Sequence, residues 1–386
     1  MKKMLLCAAM AAIMPVLALN AAPAGDKLAP GTQKTPAGTA KAGKPIAGAW
    51  ICVFNASVNH GAQVAAEAQR AVGAKGKVTH TYGYAVKGFA AQMTEQAAAS
   101  IKQRNPNVAY CEQDQVISTS QHGAILAIAQ ASSNSQSTPW GITRVNGGAS
   151  GSFARAWVID TGIQSNHPDL NVDTARSRSF LSTTTSYQDG NGHGTHVAGT
   201  IAARNNTFGV IGVAPGAPVV ALRVLGSDGT GSNSGVIAAV DWVARYGSPG
   251  DVANMSLGGG TSTTLDNAVY NASQRGIYFA LAAGNESTNA NYSSPGRVNG
   301  TYIWTVSAFD SADRFASFSN YGNPPVDVSE PGVSITSTWI NSGYATISGT
   351  SMATPHLAGL ILQRSIRLGG YVKNDPDGSA DPIGVR

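Results

Sequence analysis

At 386 residues, with aliphatic and aromatic side chains at 42% and charged ones at only 12%, the chain has material for one large core and a smaller one. The 45 glycines and low charge exclude a disordered tail protein and favour a compact, loop-rich fold. The formal charge of +5 is divided: residues 1–130 carry 12 Lys and Arg against 5 Asp and Glu, while residues 131–386 carry 14 against 16. The larger part therefore has no basic stripe, and nucleic acid is not expected as a partner.

In chain order, Lys2 and Lys3 precede an almost wholly apolar run over 4–19, and the small residues Ala21 and Ala22 follow. That order predicts a removed export signal over 1–22 rather than a buried helix, with a secreted protein and no membrane contact after its removal. Residues 23–48, rich in Ala, Gly, Pro, Lys and Thr, read as a linker. Residues 49–117 form a small α/β unit. A strand is predicted at 50–54, a helix at 62–71, and two strands at 78–86 and 88–93. A helix capped by Thr94 and a last strand at 108–117 complete it. The order β-α-β-β-α-β is the split βαβ arrangement. Cys52 and Cys111 fall in this unit, where they pair or stand as two buried thiols; after residue 130 there is no cysteine.

Residues 118–138 read as a hinge. From 139 to 374, apolar strands predicted at 156–159, 219–224, 252–255, 277–282 and 304–308 alternate with helices at 193–203, 234–244, 264–275 and from 351 onward. Near-continuous apolar strands between helices predict a three-layer α/β domain with a parallel sheet covered on both faces. Residues 375–386 read as a disordered tail.

Three segments place reactive side chains where such sheets make sites. Asp160 ends the apolar run Val158-Ile159-Asp160. His193 opens a helix in Asn191-Gly192-His193-Gly194-Thr195-His196. Ser351 lies at a helix N-terminus in Gly349-Thr350-Ser351-Met352-Ala353, where the backbone N–H groups and the dipole favour a developing anion. Serine needs a base, and the base an orienting acid. The chain order Asp, His, Ser is neither that of chymotrypsin-type enzymes nor that of α/β-hydrolases.

These segments resemble the subtilisin family of serine proteases and are most similar to its proteinase K branch. Supporting stretches are Pro139-Trp140-Gly141-Ile142, Ser256-Leu257-Gly258-Gly259-Gly260, Ala282-Ala283-Gly284-Asn285 and Ser317-Phe318-Ser319-Asn320-Tyr321-Gly322. The likeness runs from about 139 to 359, and 49–117 resembles the inhibitory prodomain of such enzymes, a ferredoxin-like α+β unit. The resemblance implies a subtilisin-like catalytic domain in which Asp160, His193 and Ser351 form the triad and Asn285 completes the oxyanion hole. It implies protein and peptide substrates bound as an added strand between Gly229-Thr230-Gly231 and Ser256-Leu257-Gly258. Ala282 and Gly284 then help form an open first pocket for apolar or aromatic side chains, with no acid demanding Lys or Arg. No catalytic cofactor is implied. A structural calcium ion is, at Asp327 with the carbonyls of Thr301 and Ile303. A monomer is expected, made as a self-processed zymogen whose prodomain is its intramolecular inhibitor, cut near 129–133, with Gln130–Ala131 the leading candidate bond. Only 35 residues follow Ser351, fewer than the family usually has. Alternative readings are an inactive or truncated homologue acting as a binding protein, and a serine esterase using the same triad.

Overall fold

The structure is a computed structural model that describes residues 42–130 and 135–386, His60 excepted. The signal at 1–22, the linker up to residue 41, and Ala131 of the Gln130–Ala131 bond lie outside the described residues.

The N-terminal unit runs β1 (Pro45–Phe54), α1 (Ala62–Val72), β2 (Gly76–Tyr82), β3 (Gly88–Met93), α2 (Glu95–Arg104) and β4 (Val108–Thr119). The predicted β-α-β-β-α-β order is thus present, as an antiparallel sheet in the order β4-β1-β3-β2. The Thr94 hydroxyl caps α2 by accepting the Ala97 N–H at 3.2 Å. Phe54, Phe89, Ile101 and Val108 pack in the unit's own core. Cys52 and Cys111, opposite each other on β1 and β4, are joined as a disulfide.

The chain continues through β5 (His122–Gln130), β6 (Gln136–Ser137), α3 (Trp140–Arg144), β7 (Ala156–Asp160), β8 (Arg178–Ser179) and α4 (His193–Ala202). Next come β9 (Gly209–Val210), β10 (Val219–Arg223), β11 (Thr230–Ser232), α5 (Asn233–Tyr246), β12 (Val252–Met255), β13 (Leu257–Gly259), α6 (Thr263–Ser273) and β14 (Tyr278–Ala282). The last elements are β15 (Ile303–Phe309), β16 (Val326–Pro331), β17 (Ile335–Trp339), β18 (Gly343–Ser348), α7 (Thr350–Leu362), β19 (Arg367–Tyr371) and β20 (Pro382–Val385).

A nine-stranded sheet, β19-β20-β16-β15-β14-β12-β7-β10-β8, is parallel from β20 to β8. Strand β7, Ala-Trp-Val-Ile-Asp, lies inside the sheet between β12 and β10 and is buried throughout, as a strand covered on both faces must be. Helices α4 and α7 pack with Val158, Val306 and Val328 on one face; α5 and α6 pack with Trp157, Leu222 and Phe279 on the other. The second core also takes in Ile51, Tyr82, Val86 and Ile117 of the N-terminal unit, which therefore sits on α5 and α6.

Three expectations are corrected. The linker does not run to residue 48, because β1 already begins at Pro45, which pairs with Gln115 of β4. Residues 118–138 are not simply a hinge, because 118–119 end β4 and 122–130 form β5, the third strand of a β17-β18-β5 sheet. The tail at 375–386 is not disordered. Strand β20 pairs with both β16 and β19, with Ile383 fully buried, and the Ser307 hydroxyl donates to Asp381. The Asp, Gly and Pro residues ahead of β20 mask its short Pro-Ile-Gly-Val alternation.

Candidate active site

Strand β7 delivers Asp160 at its carboxyl end, α4 delivers His193 as its first residue, and α7 delivers Ser351 in its first turn. All three are fully buried. The Asp160 carboxylate faces His193 Nδ1 at 2.8 and 3.0 Å and also accepts the Thr161 N–H at 2.7 Å. This holds the imidazole with Nε2 turned away from the acid, and Nε2 has no protein hydrogen-bond partner. The start of α4 is fixed by Asp189, whose carboxylate accepts N–H bonds from Asn191, Gly192 and Thr195 and hydroxyl bonds from Thr161 and Thr195, all within 3.0 Å. Gly192, at φ 115°, presses against the Trp339 ring where a Cβ would collide.

The cleft between β11 and β13 is occupied by the end of β4, antiparallel to both. Thr230, Gly231 and Ser232 pair with Ser118, Ile117 and Val116, and Leu257, Gly258 and Gly259 pair with Thr119, Ser118 and Ile117. The Gly229 carbonyl accepts the Thr119 N–H at 3.1 Å, and the Ser256 carbonyl accepts the Ser120 N–H at 3.2 Å. The sequence-predicted edges are thus the ones a strand fills, and it is the chain's own.

The Ser120 carbonyl oxygen accepts the Ser351 N–H at 3.1 Å and a hydrogen bond from the Asn285 side-chain amide. Two donors therefore converge on one carbonyl beside a serine, the arrangement that stabilises an oxyanion. Asn285 is aimed by Thr350, whose N–H and hydroxyl both donate to its Oδ1 at 2.9 Å. Ser351 Oγ donates to the Ser256 carbonyl at 3.0 Å and not to His193, whose Nε2 is unpartnered. Gly349, at φ 150°, lets the peptide after Ser120 pass; a Cβ there would lie 2.5 Å from the Ser120 oxygen.

Ala282 ends β14, nearly buried, and Gly284 follows. An acid missed in the sequence lies here. The exposed Glu286 folds back so that its carboxylate accepts the Asn285 N–H at 2.9 Å and the Asn320 amide at 2.7 Å, against Gly284. Asp189, Thr350 and Ser120 were also missed. Only Asp189 had a cue, an Asx residue just ahead of a helix start.

Asp327 lies on β16, where its carboxylate accepts the Thr305 N–H at 3.0 Å, two residues beyond Ile303 at the head of β15; Thr301 is in the turn before it. One carboxylate and two carbonyls are all-oxygen donors of the kind calcium takes. Among the described residues no group of three or more His, Cys, Asp or Glu is gathered for a metal.

The chain is similar to known proteins. The profile described as Subtilase family matches residues 157–364, and that of Peptidase inhibitor I9 matches 52–120. Alkaline serine exoprotease A of Vibrio alginolyticus is 41% identical over 74% of this chain, which spans only 52% of that relative's length. Subtilisin E of Bacillus subtilis (strain 168) is 43% identical over 74% of this chain and 71% of its own. The crystal structure of a cold adapted subtilisin-like serine proteinase, 42% identical, aligns with a TM-score of 0.56 over 63% of this chain and 96% of that one.

Proposed function

This chain belongs to the subtilase family, with an inhibitor I9 unit ahead of its peptidase domain, and from that premise we propose that it is a secreted serine endopeptidase made as a self-processed zymogen. Ser351 is the nucleophile, His193 the base and then the acid, and Asp160 the group that fixes the His193 tautomer. Ser351 Oγ adds to the carbonyl carbon and its proton passes to His193 Nε2. The carbonyl oxygen becomes an oxyanion that accepts bonds from the Ser351 N–H and the Asn285 amide, and the amine leaves with the His193 proton. Water then releases the acyl group by the same steps in reverse.

The observation that carries this reading is the Ser120 carbonyl seated between Ser351 N–H and the Asn285 amide. It makes Ser120–Gln121 the first bond cut, ten residues before Gln130–Ala131. Afterwards β4 remains in the cleft as a product-like inhibitor. Main-chain pairing on Gly229, Thr230, Gly231, Ser256, Leu257 and Gly258 reads any extended chain, so specificity is broad. The pocket at Ala282 and Gly284 takes apolar or aromatic side chains, with Glu286 at its rim tolerating a cation.

The test compares wild type with Ser351→Ala. Wild type should yield a fragment beginning at Gln121, hydrolyse casein and cut a mixed peptide library after Phe, Leu and Tyr. Ser351→Ala should remain uncut. Ester hydrolysis without casein hydrolysis, or cuts confined to Lys and Arg, would overturn the reading. Calcium at Asp327, Thr301 and Ile303 stabilises the β15–β16 end; a chelator should then speed thermal inactivation, and an unchanged rate removes the site.

A further inference from the structure

Strand β18 leads directly into Gly349-Thr350-Ser351, so one of its edges flanks the cleft downstream of the scissile bond. On one side it pairs with β17, from Ile335 opposite Ile347 to Trp339 opposite Gly343. Its other edge is filled by β5, antiparallel. His122 lies opposite Ser348; after a register shift, Ala127, Ile128, Ala129 and Gln130 lie opposite Thr346, Ala345, Tyr344 and Gly343. With Ser120 supplying the carbonyl, Gln121 and His122 are the first two residues beyond the bond. The His122 ring stacks on Phe318 at 4.4 Å between centroids. Without β5, β18 would be a bare edge strand next to the nucleophile, a ready template for another extended chain.

The filling strand stays attached after the cut. Residues 136–137 form β6, held parallel to β9, and the Gln136 amide donates to the Arg204 carbonyl at 2.6 Å and the Val210 carbonyl at 3.0 Å. Once Ser120–Gln121 is hydrolysed, 121–130 hang from this anchor by a short connection. A short tether gives an effective concentration of roughly millimolar, above that of most free substrates.

Resting on the reading of Ser120–Gln121 as the first bond cut, we propose that the outer edge of β18 is an extended binding site for the polypeptide downstream of the scissile bond, and that residues 122–130 occupy it until a second cut removes them. Gln130 sits at the far end of β18, about 20 Å of extended chain from Ser351. That second hydrolysis, with water adding across a bond near 130, is therefore performed by another molecule of the enzyme. The site serves substrates with many residues after the cut; a substrate with only an aryl amide there does not use it.

The experiment follows full-length wild type through activation by intact mass, assaying each time point on two substrates. One is a peptide p-nitroanilide; the other is a quenched peptide with eight residues after the bond. Activity on the p-nitroanilide should appear as the prodomain is degraded. Activity on the long peptide should lag, remaining about tenfold lower in kcat/KM while the form beginning at Gln121 persists, and rise as 121–130 is lost. A synthetic peptide of sequence 121–130, added to the trimmed enzyme, should compete with the long peptide and not with the p-nitroanilide. If the Gln121 form cleaves both substrates as well as the trimmed form does, or the synthetic peptide competes with neither, the site is refuted. If no form beginning at Gln121 ever appears and processing goes straight to a start near 131, the Ser120–Gln121 reading fails first.

Discussion

Asn285 is held at both ends of its amide: Oδ1 takes two bonds from Thr350 while Nδ2 donates to the Ser120 carbonyl. An amide fixed in this way needs no reorganisation when charge develops on the carbonyl oxygen, which is what makes such a donor effective. Asn285→Ala removes it and leaves the Ser351 N–H alone. Loss of the equivalent donor in subtilisin costs about 10²–10³ in kcat, and the same drop is expected here with KM within about threefold. Steady-state kinetics on a p-nitroanilide check this. A drop confined to KM would make Asn285 a ground-state binding group. Ser351 shows the complementary feature at this scale. Its Oγ rests on the Ser256 carbonyl, and the Ser256 hydroxyl returns a bond to the Ser351 carbonyl at 2.8 Å. The Ser351 residue is thus tied to Ser256 by bonds in both directions.

Helices α5 and α6 explain how the N-terminal unit is held. Both present N-termini to β4. The Glu112 carboxylate accepts the Ser262 hydroxyl at the cap of α6, and Asp114 accepts the Ser234 N–H at 3.1 Å and its hydroxyl at the start of α5. Carboxylates there meet the positive ends of two helices and satisfy otherwise orphaned donors. Asp241, from α5, returns the pattern by accepting N–H bonds from Gly83, Tyr84 and Ala85 within 3.1 Å. Replacing both Glu112 and Asp114 with Ala leaves buried donors unpaired, about 1–3 kcal/mol each. The variant prodomain should therefore inhibit the processed enzyme at least tenfold more weakly; an inhibition constant within twofold of wild type would show that β4 pairing alone carries the affinity. The apolar strands and helices of the main sheet were legible in the sequence: β12 has its expected limits, and α4 differs by one residue. Asp160, His193 and Ser351, the proposed triad, stood out in the sequence because each marks an element boundary. Strands β5, β17, β18 and β20 were not. Strand β5 pairs with β18, far along the chain, and its run Ala124-Ile125-Leu126-Ala127-Ile128 lacks the alternation that marks a half-buried strand. The bond in the cleft was missed for the same reason, since only the pairing of β4 with β11 and β13 fixes which carbonyl meets Ser351.

Across the whole molecule, buried titratable groups pull stability in opposite directions with pH. Burial depresses His196 to about 3 and His356 to about 4, each from 6.5. Below pH 6.5 the unfolded chain binds protons at these sites that the native state refuses, so their contribution is present above 6.5 and lost as pH falls towards 4. Asp381 behaves the other way. Burial is the main cause of its rise from 3.8 to about 7, only partly offset by the Ser307 hydroxyl, with the Asp375 charge adding to the rise. Between pH 3.8 and 7 the native state keeps a proton that the unfolded chain gives up, so stability from this site falls as pH rises and levels off above 7. Glu330 is fully buried with no partner for either carboxyl oxygen, and burial pushes it in the same direction. Both acids lie where β20 joins the sheet, so the last strand is the part most sensitive to alkali. Asp381→Asn keeps an acceptor for Ser307 and removes the charge. Made on Ser351→Ala, so that self-digestion does not distort the melt, it should match its parent near pH 4. It should then gain through pH 5–7 and hold a constant advantage at pH 8, at roughly 2–4 °C per kcal/mol. Calorimetry across that range decides the matter. An advantage independent of pH would mean that Asp381 is ionised throughout, and one that shrinks as pH rises would reverse the sign of the coupling between β20 and the sheet.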